Sequence, residues 1–140
     1  MIYEMKLKAE PFEKIQTGRK TVELRLFDEK RRRLDIGDKI IFEKIEDSGQ
    51  RIAVVVRSLH RYATFEELFM DIPLEKCGNA STDTFKEAAA RMSQYYPEDK
   101  IKKYGVLGIG IELINLDKVL KELDEQKEAE YERLFPDGMK

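Results

Sequence analysis

Four residues in one short stretch have the types and spacing for phosphate or nucleotide chemistry: Gly18, Lys20, Glu23 and Arg25. Lys20 offers a point charge to a phosphate just after a glycine able to end a helix, and Arg25 offers a planar fork for bidentate contact or stacking on a base. Glu23 can orient both cations or accept from a base amine. Arg19 and Thr21, inside the same stretch, count with them as candidate ligand contacts. If burial moved the Glu23 carboxyl toward neutrality, it would act as a general base on water while Lys20 stabilised an oxyanion. A plainer alternative stands beside these. Strand alternation puts Val22, Leu24 and Leu26 on one face and Thr21, Glu23 and Arg25 on the other, which makes Glu23 and Arg25 an exposed ion pair worth little.

Further along, Lys30-Arg31-Arg32-Arg33 brings four cations close enough together to reach neighbouring phosphates, Arg31 and Arg32 foremost, although such a run also serves as a solvated loop. Tyr62, Tyr95, Tyr96 and Tyr104 have rings that can stack on a base of a single strand or pack on a core edge, and Tyr62 and Tyr104 are the preferred candidates. Cys77 would be a nucleophile only beside a base, and nothing in the sequence brings His60 to it. With one cysteine and one histidine, neither a disulfide nor a zinc site is expected, and no metal or cofactor is.

The elements that must position these residues are legible from periodicity. Tyr3, Met5 and Leu7 alternate with polar residues as in a half-buried strand, and Glu10-Pro11 opens a short helix that Gly18 ends. A strand from Thr21 to Phe27 follows, then the basic loop Asp28–Arg33 and a turn at Asp35–Asp38. Strands over 40–45 and 51–59, separated by a turn at 46–49, read as an antiparallel pair. Thr64 and Glu67 form a capping pattern for a helix over 64–70. Thr82 or Asp83 caps a longer one, with Phe85, Ala88, Ala89, Met92 and Tyr95 at helical spacing up to Pro97. Tyr104–Ile114 is the last strand, its three glycines marking a bent or closely approached backbone. Leu116, Val119, Leu120 and Leu123, then Tyr131 or Leu134, mark an amphipathic C-terminal helix. The expected fold is α+β: a small, mainly antiparallel barrel of about five to six strands, closed or nearly closed, with peripheral helices. Residues 1–114 form the domain and 115–140 a helical extension.

Composition bounds the function. The 140 residues are 39% charged and 41% hydrophobic, polar yet apolar enough to fold. The net charge of −2 conceals a contrast: Gly18 to Arg33 holds seven bases against three acids, while residues 111–140 hold nine acids against five bases. The first region attracts a phosphate-bearing ligand at short range but falls short of the basic face of a non-specific duplex DNA binder. No apolar run is long enough for a membrane span and the N-terminus lacks a signal-peptide core, so the cytoplasm is the expected address.

Gly18-Arg19-Lys20-Thr21-Val22-Glu23-Leu24-Arg25 resembles the G-x-K-x-x-E-x-R signature of the ASCH domain, a family related in fold to the PUA barrel. The similarity extends over roughly residues 1–114, through the turn at Asp35–Asp38 and the Tyr-Pro helix end before YGVLGIGI. It implies a β-barrel with a cleft beside the motif that binds RNA or a nucleotide-like ligand. One bacterial branch with a similar motif removes the acetyl group from N4-acetylcytidine, and its catalytic lysine falls on Lys20. Its nucleophilic threonine, however, falls on Glu23, and Glu75 is only the nearest candidate for its carboxylate. The leading expectation is RNA or nucleotide binding, followed by hydrolysis of a modified nucleoside, and then a protein-interaction module acting through the acidic helix at 115–135.

Overall fold

A computed structural model describes residues 1–137, apart from the side chain of Ser48. Alternating and β-branched segments form five strands: β1 (Ile2–Leu7), β2 (Val22–Leu26), β3 (Lys39–Lys44), β4 (Asp47–Tyr62) and β5 (Val106–Ile114). They make one curled sheet in the order β1-β3-β4-β5-β2. β1 pairs with β3 in parallel, and the other three pairings are antiparallel. The expected closed or nearly closed, mainly antiparallel barrel is therefore corrected to a mixed half-barrel. Edge strands β1 and β2 face each other without a ladder, and charged side chains occupy the seam where a closing pair of strands would hydrogen-bond. The parallel pairing follows from connectivity, because α1 (Ala9–Gln16), β2 and the basic loop all intervene between β1 and β3 and allow the crossover that a parallel pair needs.

β4 makes the curl. Its first part pairs with β3 and its second with β5, and a register shift between Val56 and Ser58 bends it. It is longer than expected, because the turn before it is confined to Ile45 and Glu46. Facing the bend, Gly110 has no room for a side chain: a Cβ there would lie 2.0 Å from Ser58 Oγ.

The helices α2 (Phe65–Asp71), α3 (Phe85–Met92) and α4 (Glu98–Tyr104) cover one outer face of β2 and β5. Thr64 and Thr84 cap α2 and α3, each accepting from the backbone N–H of the glutamate three residues on. The helix expected to run up to Pro97 ends at Met92, turns occupy residues 93–96, and a separate helix, α4, starts after Pro97. Pro97 is the N-cap of α4 rather than the end of α3, and Tyr104 ends α4 rather than opening β5. Phe85 and Tyr95, at core spacing in the expected helix, are exposed.

Three apolar clusters result. One fills the inside of the curl, around Phe12, Ile40, Phe42, Val54 and Ile109. A second lies between β2, β5 and helices α2 to α4. The third seats the start of α5 (Leu116–Leu134) on Ile41 and Ala53 through Val119, with Leu116, Leu120 and Leu123 beside it. Tyr131 and Leu134, farther along α5, are exposed.

Candidate functional site: a charged seam between the edge strands

The site begins at the end of α1. Gly18 takes φ +79°, a left-handed conformation that glycine adopts without strain, and turns the chain back on itself. The Lys20 N–H then donates to the Lys14 carbonyl and the Thr21 N–H to the Lys76 carbonyl, both at 2.9 Å. With its backbone pinned on both sides, Lys20 sends its side chain inward.

β2 has two buried faces. Val22 and Leu24 stand opposite Gly110 and Gly108 on β5, and those glycines leave space for the helical layer; a Cβ on Gly108 would already touch Ile72, Leu68 and Val22. Glu23 and Arg25 pair in register with Ile109 and Leu107, which belong to the cluster inside the curl. The exposed ion pair is thus overturned, because helices cover the apolar face of β2 and its polar face points into the half-barrel. Glu23 is 3% exposed and Lys20 8%. Lys20 Nζ lies 2.9 Å from Glu23 Oε1, and Arg25 Nε lies 3.0 Å from Glu23 Oε2. Arg25 Nη2 donates to the Lys6 carbonyl of β1 at 3.1 Å, so one guanidinium bridges the seam that the backbone leaves open.

Burial pushes the Glu23 carboxyl up, but Lys20 and Arg25 outweigh it and hold the group below the usual carboxylate range. Both oxygens are occupied and the carboxylate stays ionised. The condition for a general base, a carboxyl moved toward neutrality, is not met.

At the seam lies a cleft of about 640 Å³. Six cations line it, Lys6, Arg25, Lys30, Arg31, Arg33 and Arg51, against Glu4 and Glu43. Arg31 pairs with Asp28 at 3.2 Å, and its buried Nε has no hydrogen-bond partner among the described residues. Among those residues Lys6, Lys30, Arg33 and Arg51 make no ion pair. The basic run forms a single 3₁₀ turn, Arg31–Arg33, held on the rim by the Tyr3 hydroxyl, which donates to the Arg33 carbonyl at 3.1 Å.

Of the residues singled out from sequence, Arg25 and Arg31 line the cleft, and Lys20 and Glu23 lie buried behind Arg25. Gly18 and Arg19 are exposed at the end of α1. Thr21 lines a separate, smaller pocket of about 360 Å³ that also holds His60 and Asp71. Arg32 sits over the Phe27 ring at 5.2 Å. Tyr62 donates to Asp71 at 2.5 Å; burial, and then that bond, push its hydroxyl up to about 12. The Tyr104 ring takes Lys103 at 5.1 Å and Lys100 at 6.0 Å. Neither tyrosine reaches the cleft lining. Cys77 is buried, and desolvation pushes its thiol up to about 11. Lys6 and Arg51 are cleft residues that sequence reasoning missed; the alternation of β1 placed Lys6 on a polar face, but nothing local paired it with Arg51.

A curled mixed half-barrel with helices on one outer face and a buried ionic triad at its seam defines the class of fold. Residues 5–115 match the family model of the ASCH domain, and the chain belongs to the ASCH family. No curated protein matches it. Among solved structures, the crystal structure of hypothetical protein PH0355 is 37% identical, with a TM-score of 0.72, over 81% of this chain and 100% of that one. The solution structure of protein PF0455 from Pyrococcus furiosus is 36% identical, with a TM-score of 0.66, over 82% of this chain and 99% of that one.

Proposed function

We propose that the protein binds RNA, or a nucleotide-like fragment of it, in the cleft at the β1–β2 seam. The observation that carries this reading is the lining itself, six cations against two carboxylates around a guanidinium already fixed in place. Arg25 is oriented by Glu23 on one side and the Lys6 carbonyl on the other, so its remaining N–H groups meet a phosphate with little ordering cost. Lys20 has a different part from the phosphate contact expected of it. It balances the Glu23 charge and so keeps that carboxylate available to hold Arg25. Membership of the ASCH family supports the choice of RNA over other polyanions.

The test is fluorescence anisotropy with a labelled single-stranded RNA, titrated at salt from about 50 mM to about 200 mM. Log affinity should fall linearly with log salt, at about 0.7 per phosphate neutralised. Arg33→Glu and Arg51→Glu, both in the rim, should each weaken binding and flatten that slope. Failure to bind at the lowest salt, or affinity indifferent to salt and to both reversals, would remove the reading.

A further inference from the structure

The mouth of the half-barrel holds a second cationic feature that the cleft does not use. Phe27, directly after β2, carries two guanidinium groups on its ring: Arg61 of β4, with Cζ 4.4 Å from the centroid, and Arg32, at 5.2 Å. The two charges therefore stand no more than about 10 Å apart, roughly one Debye length at ordinary salt. Among the described residues neither makes an ion pair, and Asp28, which directly follows Phe27, is committed to Arg31. The ring that gathers them is fixed. Phe27 packs against the cluster inside the curl, its N–H donates to the Gly105 carbonyl at 2.9 Å, and its own carbonyl accepts from Arg32 Nε at 3.3 Å.

We infer that the Phe27–Arg32–Arg61 cluster is a second nucleotide subsite, and that the ligand is a single-stranded polynucleotide of two or more residues rather than a mononucleotide. The inference rests on the cleft reading and deepens it. Two like charges gathered at one ring without a carboxylate repel each other, and the repulsion is relieved when a phosphate binds against them. Arg32 and Arg61 are both exposed, so a guanidinium held at the ring can also take a base against it, and stacking of this kind is indifferent to base identity. The location joins the two subsites. Arg32 lies between Arg31 and Arg33, which both line the cleft, and Phe27 follows Arg25 by two strand residues, about 7 Å along the chain. That distance is comparable to the step between neighbouring phosphates of an extended strand, so a chain with one phosphate at Arg25 can place the next nucleotide on Phe27 and Arg61.

The experiment measures affinity for a ladder of uridine oligonucleotides, from the mononucleotide to the tetranucleotide, by isothermal titration of the full chain and of Arg61→Ala and Phe27→Leu. The wild-type protein should gain about tenfold or more between mono- and dinucleotide, the size of one stacked base. Arg61→Ala should lose most of that gain while its mononucleotide affinity stays within about twofold. Phe27→Leu keeps the ring's apolar packing but not its π face, and should lose the gain with the protein still folded by circular dichroism. A length gain that survives in both variants overturns this inference and leaves the cleft reading intact, as does a wild-type protein that binds mono- and dinucleotide equally. Failure to bind any member of the ladder, or the single-stranded RNA used above, overturns both.

Discussion

Replacing Glu23 by Gln removes one charge and almost no volume from the centre of the triad, so its cost reports the electrostatics of the seam directly. At 2.9 and 3.0 Å, and with an effective dielectric constant of about 20, each pairing is worth about 5 to 6 kcal/mol of gross attraction. Most of that is offset by taking three ions out of water, at several kcal/mol each. Once the carboxylate is gone, Lys20 and Arg25 remain buried, uncompensated, and facing each other. Breaking a buried pair in this way costs about 3 to 5 kcal/mol. The amide oxygen of Gln can accept from only one cation, and its NH₂ confronts the other. In a chain of this size the loss corresponds to a fall in Tm of about 10 to 20 °C. Urea unfolding followed by circular dichroism should show a lower midpoint at unchanged slope. The sign of the pH dependence follows from the lowered Glu23 pKa. The folded chain holds this carboxyl below its ordinary value, so the stabilisation is complete above that value and is lost as pH falls through the folded one. The gap between wild type and variant should therefore be widest near neutrality and close in strong acid. Adding Lys20→Met to Glu23→Gln should recover part of the loss, with clear non-additivity. A neutral-pH cost under about 1 kcal/mol, the range of an exposed pair, would refute the buried triad, as would a gap that does not change with pH.

Two further outcomes test other parts of the fold. Gly110→Ala puts a methyl group 2.0 Å from Ser58 Oγ at the bend of β4 and should cost about 1 to 3 kcal/mol in urea unfolding. Ser58→Ala in that background should restore part of it, since the closest remaining contact is then Ser58 Cβ at 3.2 Å; a Gly110→Ala variant as stable as wild type would contradict the close approach. The Cys77 thiol, pushed up to about 11 by burial, should resist Ellman's reagent in the folded protein at the mildly alkaline pH where free cysteine reacts, and should react promptly in urea. Rapid labelling of the native chain would show Cys77 to be accessible.

Much of the chain was legible because its local signals were consistent. The Tyr3-Met5-Leu7 alternation, the Glu10-Pro11 opening with its glycine stop, and the Thr64–Glu67 capping pattern each produced the element they encode. The failures lie where the deciding contact is distant. Alternation in β2 separates two faces but does not say which one looks inward. The second cluster, brought by α2 to α4 from forty or more residues away, buries the face of Val22 and Leu24 from outside. Glu23 and Arg25 are thereby assigned to the interior. Pro97 is similar, because a proline both follows a helix and starts one, and only the packing of Ile101 selects α4. The parallel partnership of β1 and β3 has no local signature at all.

The same distinction separates the motif from the site. Gly18, Lys20, Glu23 and Arg25 are recognisable as a set because they lie within eight residues, yet their parts differ: a turn, a counter-charge, a hub, and a guanidinium reaching the cleft. Only the last touches the space where a ligand would sit. The other cations of the lining come from β1, the basic turn and β4, and sheet order rather than sequence proximity gathers them. A charge count along the chain found the turn, because its cations are consecutive, and missed Lys6 and Arg51, neither of which stands in a run of bases. Arg61 escaped for a further reason: it is one of three scattered arginines on a long strand, and its meaning depends on Phe27, thirty-four residues earlier, standing beside it.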